Sequence, residues 1–385
     1  MRVQPFRMER WQSTWEHRVR YNLSESGVEP LTVAGLLALC GSGGVAAEGL
    51  DRLPLGYGQT NGSDALRARI AALYPGASDA EVVVTAGGAE ANFACAWRLM
   101  EPGAAAAVML PSYMQLPGLL ASFGVRALPF HLRAEAGWAP DLDALAAALR
   151  EGARAVVVTN PNNPTGRALT GTEMDAIAEL ADRHGAWILS DEVYQGAERS
   201  GVETPSFRGR AERVLVTNSL SKAYGLPGLR LGWVVGPADA VDDLWGRTDY
   251  TTIAPSTLAD RLATLALAPE ARARILARTR AIIARNLEVL SGWLGARSDR
   301  FRWRAPDAGA ICHVRYDAPL GSVELAERLR VEQGVLVVPG DHFGTEPYLR
   351  LGFGLPEAEL RAALDRVGEL FDRLPTGPAG GVSRP

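Results

Sequence analysis

Between residues 63 and 235, short apolar runs alternate with amphipathic stretches, and no other feature restricts the fold as much. Strands are expected at Glu81–Thr85, Ala106–Leu110, Arg126–Phe130, Ala155–Thr159, Ala186–Ser190, Val214–Thr217 and Leu231–Val235. Helical spacing marks Ser63–Leu73, Ala89–Leu99, Leu116–Phe123, Leu142–Leu149 and Gly171–His184. Runs that are apolar at successive rather than alternate positions belong to strands buried on both faces. Strands separated by amphipathic helices build βα units, so the fold class is α/β, a three-layer sandwich around a mainly parallel sheet.

After Asp249 the pattern changes. One long Arg/Ala-rich helical stretch is expected over Ser256–Leu294, then helices at Ser322–Gln333 and Glu357–Leu374. Short strands are expected near Phe301–Arg304, Ala310–Tyr316, Val335–Val338 and Tyr348–Phe353. This reads as a smaller α+β domain. The expected division is a large domain over 40–285, a small domain from 1–39 and 286–374, and a disordered Pro/Gly-rich tail over 375–385.

Composition excludes several classes. A net charge of −4 leaves no electrostatic footprint for nucleic acid. Cys40, Cys95 and Cys312 are far apart and odd in number, which argues against a disulfide framework or a structural zinc. The five histidines show no metal spacing, so no metal is expected. The first residues lack the apolar core of a secretory leader, and no run approaches the ~20 apolar residues needed to span a bilayer. A soluble, cytoplasmic protein is the expectation.

Lysine occurs once in the chain, as Lys222, among 40 Lys+Arg. A guanidinium stays protonated, whereas an amine can lose its proton and form an imine. A leftover surface lysine is an equal reading of Lys222 alone. Its surroundings decide: Ser219 and Arg230 flank it, and the glycines between allow close approach to a ligand. The strand that ends at Asp191 puts a carboxylate where α/β sheets bind ligands, although a helix N-cap would use the same residue. Asn160-Pro-Asn-Asn163-Pro forms an extended turn after a strand. The turn Thr85-Ala-Gly87-Gly88-Ala89-Glu90 joins strand to helix and offers free N–H groups to an anion, though a glycine turn with no ligand is the default.

In this order and spacing the four segments resemble the fold-type-I, class I/II aminotransferases, over about Tyr57 to Phe353. The resemblance implies pyridoxal 5'-phosphate as cofactor, with Lys222 as the Schiff-base lysine. It implies Asp191 as partner of the pyridine nitrogen, and Asn163 and Tyr194 on the 3-hydroxyl. Ser219, Arg230 and the Gly88–Ala89 backbone match the phosphate cup, and Tyr113 the aromatic stacked on the ring. Tyr57 resembles a tyrosine that reaches the phosphate of a neighbouring subunit, which implies a homodimer. Arg350 matches the clamp for the substrate α-carboxylate, and Gly27 lies in the segment that lines the substrate pocket.

Two departures bear on substrate. Tyr250-Thr-Thr-Ile-Ala-Pro-Ser lacks the arginine with which aspartate aminotransferases hold a side-chain carboxylate, and Arg247 and Arg261 fit that place poorly. The opening Asn22-Leu-Ser-Glu25-Ser-Gly27-Val resembles that of family members that cyclise an arginine derivative. Glu25 could meet a cationic substrate side chain, but an exposed loop charge is the commoner case. The activity implied is transfer of an α-amino group between an amino acid and a 2-oxo acid. The alternative is cyclisation, elimination or oxidation of an arginine-like amino acid. A binding or regulatory protein is the third reading, and the retained lysine speaks against it.

Overall fold

The computed structural model describes residues 3–41, 49–50 and 52–377. Its centre is an eight-stranded sheet in the order Val82–Thr85, Gly232–Val235, Val214–Ser219, Trp187–Asp191, Ala153–Thr159, Ala105–Leu110, Arg126–Arg133, Ala139–Pro140. The run from Val214–Ser219 to Arg126–Arg133 is parallel throughout. Gly232–Val235 is antiparallel to both of its neighbours, and Ala139–Pro140 is antiparallel to its one. The sheet is mixed yet mainly parallel, as the fully apolar runs require.

Helices cover both faces. On one side Val83, Val157, Leu189, Leu215 and Val234 pack with Ala91, Cys95 and Leu244 from helices Gly88–Leu99 and Ala238–Thr248. On the other, Val156, Val158, Ile188 and Val216 belong to a larger core that continues without a break to Phe353, Leu364 and Phe371. A four-stranded antiparallel sheet joins this second core, in the order Phe301–Trp303, Ile311–Tyr316, Tyr348–Gly352, Val338–Pro339. Each fully buried Val, Leu or Ile contributes about 1.5–3 kcal/mol of hydrophobic stabilisation, so these layers hold the architecture.

The expected single helix over Ser256–Leu294 is two, Thr257–Ala266 and Pro269–Gly295. Pro269 disfavours helical geometry at Ala268, whose ψ is 137°, and then serves as the first residue of the next helix. The boundary expected at 285 falls inside this second helix. Its Leu276 side chain meets Gly196 beside the large sheet, and its Trp293 ring packs 5.2 Å from Phe301 of the smaller one.

Among the described residues, three α-helices lie outside the expected set: Arg7–Trp15, Val33–Leu39 and Ala238–Thr248. The expected strand Val335–Val338 is split. Val335–Leu336 pairs in parallel with Tyr21–Asn22, and Val338–Pro339 joins the four-stranded sheet. The chain after Asn22 therefore runs along the small sheet toward the large one. Of the tail, residues 378–385 lie outside the described residues. No described helix is long and apolar enough to cross a membrane.

Candidate active site

Parallel strands expose their C-terminal ends on one edge of the sheet, and the side chains of interest collect there. Asp191 and Ser219 are the last residues of their strands, and Thr85 leads into the Gly87–Gly88 turn. A cleft of about 460 Å³ opens over this edge. Gly88, Ala89, Tyr113, Asn163, Asp191, Tyr194, Ser219, Lys222 and Arg230 line it together. Sequence positions 88 to 230 thus converge on one small volume.

The floor is shaped by glycine. Gly87 has φ +91°, and a side chain there would strike the Arg230 guanidinium. A side chain at Gly232 would strike the Gly87–Gly88 peptide, so Gly232 lets the turn press against the neighbouring strand. Helix Gly88–Leu99 has no side-chain cap, which leaves its first N–H groups to a ligand. Those N–H groups, the Ser219 hydroxyl and Arg230 lie together at one end of the cleft and could accommodate an anion. Arg230 is itself left-handed at φ +48° and anchors one guanidinium nitrogen on the Pro227 carbonyl at 3.0 Å.

Asp191 is buried. Asn92 Nδ2 donates to its Oδ2 at 2.9 Å, and the Val193 N–H donates to Oδ1 at 3.2 Å. Thr217 Oγ1 in turn donates to Asn92 Oδ1 at 2.7 Å, which fixes the amide. Burial pushes the Asp191 carboxyl up from the usual carboxylate range, and the two donors work against it. The buried Tyr194 hydroxyl has no hydrogen-bond partner among the described residues. An orphan hydroxyl, a carboxylate braced by neutral donors and an uncapped glycine turn fit a flat, polar, phosphorylated ring.

Lys222 Nζ donates to Glu25 Oε1 at 2.8 Å. The same oxygen accepts the Ser26 and Gly27 N–H groups, each at 2.8 Å. Glu25 keeps 46% of its side chain exposed, as a loop charge does, yet it is also paired with Lys222. Gly352 and Gly354 explain why: any side chain there would collide with the carbonyls of Glu25 and Gly27, so the segment lies directly on the small sheet and turns inward. The ammonium of Lys222 holds the Glu25 carboxyl down at about 2. Burial favours the neutral amine of Lys222, but Glu25 and Tyr194 outweigh it and keep the proton bound above the ordinary range. Gly27 sits beside Lys222 and the Ser221 carbonyl, and a side chain there would press on Glu25 Oε1 at 3.3 Å.

Arg350 is fully buried. One guanidinium nitrogen donates to Asn163 Oδ1 at 3.0 Å, another donates to the Ser24 carbonyl, and Nε has no partner among the described residues. The guanidinium lies 5.5 Å over the Phe343 ring. Burial weakens its hold on the proton, although a guanidinium stays charged in proteins.

A lid completes the cleft. Helix Arg7–Trp15 is held to the small sheet by Trp11 Nε1, which donates to the Val337 carbonyl at 2.9 Å, and by an Arg7–Asp341 ion pair. It reaches across to Tyr113, whose hydroxyl donates to Glu9 at 2.8 Å and whose ring meets Phe6 edge-on at 5.2 Å.

The family model for aminotransferase class I and II matches residues 46–367, a span that holds most of the cleft residues. The chain belongs to that family. This aminotransferase is 34% identical to capreomycidine synthase of Streptomyces vinaceus, over 94% of this chain and 92% of that protein. It is 33% identical to the arginine–pyruvate transaminase of Pseudomonas aeruginosa, over 81% of each. A pyridoxal-phosphate-dependent aminotransferase from Streptococcus suis superposes with a TM-score of 0.92 at 31% identity, over 98% of this chain and 100% of that one. It is a pyridoxal-phosphate enzyme that moves an α-amino group between an amino acid and a 2-oxo acid.

Arg350 and Gly27 do not line the cleft themselves, although each adjoins residues that do, and Tyr57 stands apart from it altogether. That tyrosine is 86% exposed and borders a separate depression with Pro255 and Leu258. Arg247 is tied to Asp243 in its own helix and Arg261 is exposed, so neither enters the cleft. Sequence reasoning missed Asn92, Glu9 and Gln12. Asn92 carried a signal, since an amide among small apolar helix residues must find a partner. So did the lid, because Met8, Trp11, Gln12 and Trp15 are spaced to share one helical face.

Proposed function

We propose that Lys222 is the residue joined to pyridoxal phosphate and the proton carrier of the reaction. The convergence of Lys222, Asp191 and Arg230 on one cavity carries this reading. Bound there, the cofactor supplies an electron sink for negative charge at the substrate's Cα. Asp191 would keep a proton on the ring nitrogen, braced by Asn92. Asn163 and Tyr194 would meet the ring hydroxyl, and the orphan Tyr194 hydroxyl supports that role. Gly88, Ala89, Ser219 and Arg230 would seat the phosphate, with Tyr113 over the ring.

Arg350 would hold the substrate α-carboxylate through the N–H groups that Asn163 and Ser24 leave free. Gly27 leaves room for the substrate beside the lysine stem. So held, the Cα–H bond would face the Lys222 amine, which, once the substrate's amino group has displaced it and left it neutral, would take that proton as general base. Tyr57, exposed on its own chain, would enter the cleft of a second copy, making a cytoplasmic homodimer. The large domain is drawn over 40–285 and the small one over 1–39 and 286–374, with helix Pro269–Gly295 shared between them.

The relative named capreomycidine synthase supports a second outcome, cyclisation of an arginine-like amino acid by the same residues. Incubation with an amino acid and no 2-oxo acid separates the two. Amino transfer stops after one equivalent per site, and continued turnover would replace it with the second reading.

A further inference from the structure

The lid side of the cleft differs chemically from its floor. The cavity is lined by four carboxylates, Glu9, Glu16, Glu25 and Asp191, but by only two cations, Lys222 and Arg230. On the reading above, Asp191, Arg230 and Lys222 are committed to the cofactor. Glu25 then loses the ammonium that balances it. Its Oε1 keeps the Ser26 and Gly27 N–H groups, while Oε2 accepts no hydrogen bond among the described residues.

Gln12 points the same way. It is 93% buried, taken from its 7% exposure, and it lines the cavity. Its Nε2 donates to the Ser24 carbonyl at 2.7 Å and to the Ser24 hydroxyl at 3.3 Å, which sets the orientation of the amide. The remaining polar atom, Oε1, accepts no hydrogen bond among the described residues. Glu9 and Glu16 stand on either side of Gln12 in the sequence, at helical spacing that keeps all three toward the cleft. This wall therefore offers acceptors and uncompensated negative charge. Carboxylates and an amide oxygen that face the cleft with few donors favour an occupant that brings both positive charge and several N–H groups.

We infer that Glu9, Gln12, Glu16 and Glu25 form a subsite for the guanidinium end of an amino-acid side chain. A guanidinium carries five N–H donors in a planar fork and matches carboxylate and amide oxygens set at different angles. Arg350 holds the other end of the molecule, so chain length between α-carboxylate and cation is part of the selection. The inference rests on the assignment of Lys222 and Asp191 to the cofactor and deepens it.

The test compares arginine with its uncharged isostere citrulline, and with ornithine, on the full-length cofactor-loaded protein. Calorimetry with 2-methylarginine and 2-methylnorleucine, which have no α-proton to lose, measures binding without turnover. The charged analogue should bind at least about tenfold more tightly, the effect of hydrogen bonds to a charged group. Glu25→Gln and Glu16→Gln should each shrink the arginine-to-citrulline ratio of kcat/KM. Glu16 does not touch Lys222, so Glu16→Gln keeps the test decisive if Glu25→Gln disturbs the lysine. A preference for ornithine over arginine would overturn the guanidinium assignment. Equal binding of the two analogues, or an equal loss for arginine and citrulline in both variants, would overturn the subsite. A protein with no visible cofactor band and no turnover of any amino acid fails the underlying cofactor assignment instead, and the subsite falls with it.

Discussion

The floor of the cleft is carried by strand ends of one sheet, whereas the wall opposite hangs on residues 7–27 and on a single strand of another. Floor residues are fixed by the large sheet and the helix packed on it: Asp191 by Asn92 of helix Gly88–Leu99, and the Gly87–Gly88 turn by Gly232. Wall residues depend on contacts between distant parts of the chain, such as Arg350 with Ser24 and Trp11 with Val337. The contrast suggests a division of labour in which the floor retains the cofactor and the wall chooses and orients the substrate.

That division can be broken most forcefully at Lys222. Lys222→Ala should abolish the visible band of the bound cofactor and lower turnover by roughly 10²–10⁴-fold, the range of a lost acid–base group. A variant that kept its band would end the assignment. Arg350→Ala should instead leave the band in place and reduce kcat/KM on the order of 10²-fold, as when one partner of a buried charge pair is cut away. If its spectrum changed while substrate affinity held, floor and wall would not be separate. Asn92→Ala removes one donor from Asp191 and pushes that carboxyl further up. Turnover should drop about tenfold, and the pH at which the band titrates should move, consistent with a hydrogen bond to a charged group. An unmoved titration would show that Asn92 braces nothing.

Acid offers the mildest test. His313 and His342 both lie on the wall side, and burial lowers them to about 3 and about 4. Each stays neutral in the fold but binds a proton in the unfolded chain below about 6.5, so acidification from there favours unfolding. Glu25, lowered to about 2, adds to the same trend as pH falls below its ordinary range. The fully buried His313 alone contributes at most about 1.4 kcal/mol per pH unit. Amide hydrogen exchange should find residues 7–27 and 311–352 opening before the large sheet. Floor strands that opened first would reverse the order proposed here.

The two regions also differed in how much of them could be read in advance. The strands of the large sheet were legible because burial on both faces writes continuous apolar runs. Lys222 stood out because arginine replaces lysine everywhere else, and Asp191 because a carboxylate ending an apolar strand is conspicuous. The wall was less legible. Arg7–Trp15 carries only a narrow apolar face, with Arg7, Arg10, Ser13 and Thr14 exposed, so its helical signal is weak. The pairing of Glu25 with Lys222 was not legible because Gly352 and Gly354, which seat its segment, lie more than 300 residues away in the sequence. The split at Pro269 was written in the sequence and simply outweighed by the helical run on both sides.

A chain with a single lysine has an unusual chemical exterior. Apart from its α-amino terminus, the whole surface is blind to acylating dyes, succinimide esters and formaldehyde-type crosslinkers that seek primary amines. Any label beyond the one at the α-amino terminus will have found the cleft, and only where Lys222 is not joined to a cofactor, so that second equivalent counts cofactor-free sites.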